Sequence, residues 1–187
     1  DRLYTILRKT AVYSNFRQYF FITPPLFIFA GFALQSIAKK LKHKAWIALI
    51  CLALSIPAIV SLVRLHPYQY IYYNQFTGGV SGANRVYNLD YWVTAYQEAF
   101  EYANENLPPD STLIVPNGLH RAEIYARDSF EVLIRYSPEI VEEYQPDYAI
   151  ISSHRFQDQS LFPDAPIIHT VEVEGAPLMV IKDLTKD

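Results

Sequence analysis

Cysteine occurs once in the 187 residues, at Cys51. A lone thiol closes no disulfide and builds no cysteine-based zinc site within one chain, and this one lies inside an apolar run. Acidic residues are nearly missing from the first third. Residues 1–65 hold nine basic and one acidic residue, a charge of +8, whereas residues 66–187 hold seven basic and eighteen acidic, a charge of −11. So negative a second part repels phosphates, which excludes nucleic acid as its partner. Glycine is scarce as well: three of the six lie in Thr77-Gly78-Gly79-Val80-Ser81-Gly82-Ala83. That segment lacks the G-x-G-x-x-G spacing, the Lys-Ser/Thr ending and a preceding strand, so it is a sharp turn rather than a nucleotide loop. No G-x-S-x-G elbow is present. His66, His120, His154 and His169 show neither H-x-x-x-H nor H-E-x-x-H spacing, and His120 with Glu123 is an isolated pair, so no metal site is expected here. The chain opens on Asp1-Arg2-Leu3 with no charged segment ahead of a cleavable apolar one, which leads us to expect the end of a longer polypeptide.

What is present is apolar residue, 51% of the chain, at a mean hydropathy of only +0.03. That average conceals two uncharged runs, 21 residues from Gln18 to Ala38 and 19 from Ala45 to Val63. Each approaches the roughly 20 residues a helix needs to cross a bilayer. Between them Lys39-Lys40-Leu41-Lys42-His43-Lys44 packs four lysines into six residues, a cytoplasmic loop by the positive-inside rule. The sequence therefore predicts a transmembrane segment over 1–65, with spans at about 18–38 and 45–63 and a cytoplasmic loop at 39–44. Residues 66–187 are expected as an extracytoplasmic domain of a multi-pass cell-membrane protein. Pro24, Pro25 and Pro57 are tolerated where neighbouring helices satisfy freed backbone groups. Arg2, Arg8, Lys9 and Arg17 put positive charge on the outer flank, against the rule, which singles out Arg17. Two buried helices of a soluble α/β enzyme are the alternative for these runs.

The second span is followed by His66-Pro67-Tyr68-Gln69-Tyr70-Ile71-Tyr72-Tyr73, whose four tyrosines within six residues suit an aromatic belt at the headgroups. Asp90 is placed to cap a helix from about Tyr91 to Asn106, with Trp92, Tyr96, Ala99, Ala103 and Leu107 on its core face. A strand at Thr112–Val115, a turn at Asn117-Gly118, a helix over Leu119–Tyr125 and a Ser137-capped helix through Tyr144 follow. A second strand spans Asp147–Ser152. A hairpin pairs Ile167–Val173 with Leu178–Lys182 around Glu174–Pro177. The expected fold is two transmembrane helices followed by a small α/β domain with an antiparallel C-terminal hairpin. Asp90 beside Tyr91 and Trp92 is also a carboxylate between aromatic platforms, suited to sugar binding or acid/base work. Arg17, near Asn15, stands where a lipid phosphate would lie, and a guanidinium grips phosphate with two charge-assisted hydrogen bonds.

Tyr13-Ser14-Asn15-Phe16-Arg17-Gln18-Tyr19-Phe20-Phe21-Ile22-Thr23-Pro24-Pro25, the basic loop, Leu65-His66-Pro67-Tyr68 through Tyr73-Asn74, Gly78-Gly79, Gly82-Ala83 and Asp90-Tyr91-Trp92 succeed one another in order. Over about residues 10–107 this order resembles the C-terminal end of bacterial multi-pass glycosyltransferases of the GT-C superfamily, related to the protein O-mannosyltransferases. The resemblance implies transfer of a hexose from a polyprenyl-phosphate carrier to an acceptor at the outer membrane face. It implies a catalytic Asp or Glu in a first extracytoplasmic loop upstream of Asp1, usually with a divalent metal, so this fragment alone would be inactive and hold no cofactor. Its partners would be membrane lipid, the polyprenyl-phosphate sugar donor and the remaining transmembrane helices of the same chain. Carried over by motif, Arg17 would bind the carrier phosphate and Asn15 would shape the turn. His66, Tyr68, Asn74, Asp90 and Trp92 would line or brace the outer cavity. Relatives tend to carry an acidic residue just before the span; Ser14-Asn15 stands there instead. A non-enzymatic, membrane-anchored α/β binding or interaction module is the rival expectation.

Overall fold

The computed structural model describes residues 20–40, 45–116 and 122–185, with the side chains of 122 and 123 left aside. Asn15, Arg17, the basic loop at 41–44 and the Asn117-Gly118 turn lie outside the described residues. The chain divides into two compact units, Asp1–Ile56 and Pro57–Asp187, so the division falls inside the second apolar helix.

Helix α1 runs Thr23–Lys40 and α2 runs Ala45–Arg64. Including the 3-10 turn at 20–22, the candidate spans are 21 and 20 residues long with mean hydropathies of 1.7 and 2.5. At about 1.5 Å per residue each is about 30 Å long, enough by length and composition to cross a bilayer. No residue of either helix is buried; Phe27 is 72% exposed and Leu54 74%. The hydroxyls of Ser36 and Ser55 donate back to the carbonyls of Phe32 and Cys51, at 2.8 and 2.9 Å. Such back-bonding satisfies a hydroxyl without water.

The second unit is an α/β domain on a mixed five-stranded sheet. Its strands are β1 (Thr112–Ile114), β2 (Glu131–Leu133), β3 (Tyr148–Ser152), β4 (Ile167–Val173) and β5 (Ala176–Asp183), in the spatial order β2-β1-β3-β5-β4. β1 pairs in parallel with β2 and β3, while β5 runs antiparallel to β3 and β4. Alternation along the strands divides the core between the two faces of the sheet. Leu113, Ile150 and Ile181 join Ala99, Phe100 and Ala103 of helix α4 (Tyr96–Asn106). Ile114, Ala149, Ile151 and Val180 face the other way, against Ile140, Val141, Leu161 and Phe162. Ile140 and Val141 belong to α6 (Pro138–Tyr144), whose cap Ser137 accepts the Ile140 N–H at 3.2 Å, with proline at the first turn. The hairpin turn is Glu174-Gly175, both at positive φ (51° and 75°), the geometry that matches the twist of two paired strands. β5 consequently starts at Ala176, ahead of the expected Leu178.

Three sequence expectations are revised. The glycine segment forms a short helix α3 (Gly79–Ala83) entered through Gly78 at φ 81°. A Cβ on Gly82 would overlap the Thr77 carbonyl oxygen, so only glycine fits there. The tyrosines after α2 do not form a belt: Tyr68 is 8% and Ile71 3% exposed, Tyr72 and Tyr73 pack against the core, and Tyr70 alone of the four is exposed. A 3-10 turn at Gln69–Ile71 brings residues three apart onto one side and turns them inward. The helix expected from Tyr91 begins at Tyr96, because Asp90 and Val93 sit at φ 28° and 55°, outside the helical region. β2, a three-residue edge strand, and α5 (Ala122–Tyr125) complete the path between β1 and α6.

Candidate functional site

Asp90 is the one acidic residue of the segment joining α2 to α4, and it is 1% exposed. Its Oδ1 accepts the Thr94 N–H at 2.7 Å and the Thr94 hydroxyl at 3.3 Å, Oδ2 accepts the Ala95 N–H at 3.2 Å, and the Tyr70 hydroxyl donates to Oδ1. The carboxylate thus closes the turn that leads into α4 rather than capping a helix at Tyr91. Burial pushes its pKa up, while the hydrogen bonds from Thr94, Ala95 and Val93 pull it back.

Beside this turn opens a cleft of about 600 Å³, lined by Pro67, Tyr68, Trp92, Val93, Thr94, Tyr96, Gln97, Glu98, Glu101 and Tyr125. Glu98 and Glu101 stand one turn apart near the start of α4. The Tyr68 hydroxyl donates to Glu98 Oε2 at 2.7 Å and the Gln97 amide donates to Glu101 Oε1 at 2.9 Å. Trp92 is 53% exposed and meets Tyr91 edge-on at 5.2 Å. Tyr96 is 3% exposed, and its hydroxyl has no hydrogen-bond partner among the described residues. The field here is negative: burial first, then the bond to Glu98 and the charges of Glu98, Asp90 and Glu101 drive the Tyr68 phenol well above its ordinary range. Burial and Asp90 do the same to Tyr96.

Of the sequence candidates, Tyr68 and Trp92 line this cleft, and Asp90 is buried just behind Thr94. His66 and Asn74 are not among its lining residues. The His66 ring nitrogen Nδ1 lies 2.8 Å from the Gln69 side-chain amide, at the surface. Asn74 caps the 3-10 turn Gln75–Thr77, accepting the Thr77 N–H on Oδ1 at 3.2 Å. Trp92 leaves the core face expected for it, whereas Tyr96, Ala99, Ala103 and Leu107 are buried as that face requires. Glu98, Glu101 and Tyr125 carry no role in the sequence reading, and Tyr96 carries only that of a core residue. The i, i+3 carboxylates beside Trp92 were the available signal, read past because the neighbouring positions spell a core face.

A second polar cluster surrounds His154, which meets Tyr91 edge-on at 5.4 Å. Its Nδ1 and the Ser153 hydroxyl are buried without hydrogen-bond partners among the described residues. Burial, then Arg155, lowers the imidazole pKa. Asn88 accepts the Arg155 N–H at 3.0 Å, and Arg85 grips Asp158 with two bonds of 2.9 and 2.6 Å. These bonds tie the 85–88 segment to the chain beyond β3. Among the described residues no three His, Cys, Asp or Glu side chains group closely enough to hold a metal ion. No family model, curated protein or solved structure matches this chain.

Proposed function

We propose that this chain is the C-terminal part of an integral-membrane glycosyltransferase that moves a hexose from a polyprenyl-phosphate carrier to an acceptor at the extracytoplasmic face. In this reading α1 and α2 cross the bilayer, the lysine loop lies in the cytoplasm, and the α/β domain stands outside. The observation that carries it is the cleft, whose lining begins at Pro67, three residues beyond the end of the apolar helix α2. Its exposed indole offers a flat apolar face for the C–H side of a sugar ring, and its carboxylates and hydroxyls offer acceptors and donors for hydroxyl groups. The ordered motifs from Tyr13 to Trp92 support the same reading.

The chemistry follows from charge. A lipid phosphate leaves readily once its charge is neutralised, and Arg17 supplies a guanidinium for that; a carboxylate from elsewhere in the full-length enzyme, usually with a divalent metal, would deprotonate the acceptor hydroxyl. Transfer of labelled hexose from a polyprenyl-phosphate donor, measured in vesicles bearing the full-length protein, tests the proposal. Arg17→Ala should lower use of the carrier at least tenfold, as expected for a charged hydrogen bond of about 1.5–3 kcal/mol. Unchanged kinetics would remove Arg17 from the mechanism, and no transfer by the wild type would end the transferase reading.

One observation favours a second reading, a membrane-anchored binding module: Pro57–Asp187 is a compact unit with its own core. A module of that kind would bind its ligand with no donor present and transfer nothing.

A further inference from the structure

The exposed apolar side chains of the α/β domain are not spread evenly. Among the described residues from 65 onward eleven large ones are exposed, and six of them, Tyr70, Phe76, Val86, Tyr87, Tyr91 and Trp92, lie within residues 70–92. Carboxylates are distributed the other way. Of the eighteen acidic residues in 66–187, seventeen follow residue 95, and the one that precedes it, Asp90, is 1% exposed. The stretch that leaves α2 is aromatic and presents no exposed carboxylate, while the rest of the domain is strongly acidic.

Phe76 is the extreme of this set, its ring fully exposed. The turn that carries it is closed at its base: the Thr77 hydroxyl donates to the Asn74 carbonyl at 2.7 Å, the Gly78 N–H to the Gln75 carbonyl at 3.0 Å, and the Gly79 N–H to the Asn74 carbonyl at 3.1 Å. Behind it Gly82 stands too close to the Thr77 carbonyl for any side chain, so α3 backs directly onto the turn. The same turn is tied to the end of the apolar helix through one residue. Arg64, the last residue of α2, pairs with Glu174 at 3.3 Å, and Glu174 Oε2 lies 3.6 Å from where a Cβ on Gly79 would stand. All of these residues belong to the one compact unit Pro57–Asp187. Phe76 is therefore held out beside the point where α2 ends.

An aromatic, acid-free surface next to the end of an apolar helix suits the boundary of a bilayer, where aromatic rings settle at headgroup level and carboxylates are costly. We propose that the turn Gln75–Thr77 enters the headgroup layer of the bilayer at the end of α2, with Phe76 foremost, as a second membrane contact that fixes how the domain stands on the lipid surface. Tyr87 supports it from the side: the ring is half-exposed and stacks on Tyr73 at 5.5 Å, three residues before Phe76. One inserted side chain is a weak anchor for a free protein. Here α2 already holds the turn at the surface, so the second contact is intramolecular and a single ring suffices. The inference rests on the proposed placement of α2 in a bilayer and not on the transferase reading.

The test uses the full chain in phosphatidylcholine nanodiscs, with Cys51→Ala as background and one nitroxide at a time on Leu54→Cys, Gln75→Cys or Glu142→Cys, three exposed positions. Collision of the nitroxide with oxygen marks lipid, collision with a nickel chelate marks water, and shielding from both marks protein. Position 54 should report lipid and position 142 water. Position 75, beside the native Phe76, should favour oxygen. Adding Phe76→Ser should lower the inserted-to-free ratio of the turn about tenfold, the factor a side chain of that size supplies on leaving water, and bring position 75 toward the value at 142 with an unchanged melting temperature. Nickel collision at 75 as frequent as at 142, with 54 still in lipid, overturns the inference and leaves α2 in the bilayer. Shielding from both reagents at 75 puts protein over the turn and overturns it as well, as does a reading indifferent to Phe76→Ser. Nickel collision at 54 removes the bilayer placement of α2, and the inference with it.

Discussion

The two helices and the α/β domain spend the same residue types in opposite ways. Leu54 in α2 is 74% exposed, while Phe100 in α4 is fully enclosed. In water the first arrangement is unfavourable at roughly 25 cal/mol per Å² of apolar surface, whereas burial of that kind is what holds the domain together. Apolar side chains turned outward along about 30 Å of helix are favoured where something other than water receives them, which is the support for the proposal that α1 and α2 cross a bilayer. The mean hydropathy of +0.03 describes neither region. A chain average is informative only where the whole chain shares one solvent.

The largest expected effect that sharpens this contrast is a paired truncation. Phe100→Ala should cost the domain about 3–5 kcal/mol, seen as a lower midpoint in denaturant, because it empties a fully enclosed site. Leu54→Ala should leave that midpoint unchanged. Equal effects would mean that α2 is packed like a core helix, and the contrast would fail. Next comes the fit at Gly82. Gly82→Ala drives a methyl group into the Thr77 carbonyl and should destabilise the domain by about 1–3 kcal/mol, measured by the same titration.

Asp158→Asn should follow, at about 1–3 kcal/mol. It leaves the Arg85 guanidinium without its paired charge, and the figure is kept below that for a fully buried pair because Arg85 is one-third exposed. The smallest effect is in pH dependence. The Asp90 carboxyl titrates above its ordinary value in the folded domain, so its contribution is fully present below the unfolded pKa and is lost as pH rises through the folded one. Wild type should therefore gain stability relative to Asp90→Asn on acidification. His154 has the opposite sign: its lowered pKa gives a contribution present above the ordinary imidazole value and lost as pH falls through the folded one. Thermal melts across the mildly acidic range should show His154→Gln losing less stability than wild type on acidification.

What the sequence made legible was whatever one local rule decides. Run length placed α1 and α2 to within a few residues, Ser137-Pro138 marked the start of α6, and the apolar alternation around Glu174-Gly175 marked the hairpin. Where two rules compete, the weaker signal won. Asp90 reads as a cap at Tyr91, yet left-handed Val93 delays the helix and moves Trp92 from core to cleft. The tyrosines after α2 read as interfacial, yet a 3-10 turn draws Tyr68 inward to meet Glu98, thirty residues away. Two of the ten residues lining the cleft, Tyr68 and Trp92, were visible as site candidates. The glutamates were not, because a helix face can be called acidic or apolar only after its direction is fixed by the sheet it packs on.

The position of β5 sets an order of events for a chain made from its N-terminus. The sheet is arranged β2-β1-β3-β5-β4, so the last strand in sequence is an interior one, hydrogen-bonded on both sides. β4 touches the rest of the sheet only through it. Until residue 183 has been synthesised, β3 has an open edge and the apolar side chains of α4 lack Ile181 to pack against. During synthesis the two apolar helices would therefore be finished, and free to enter a membrane, well before the domain they carry could close.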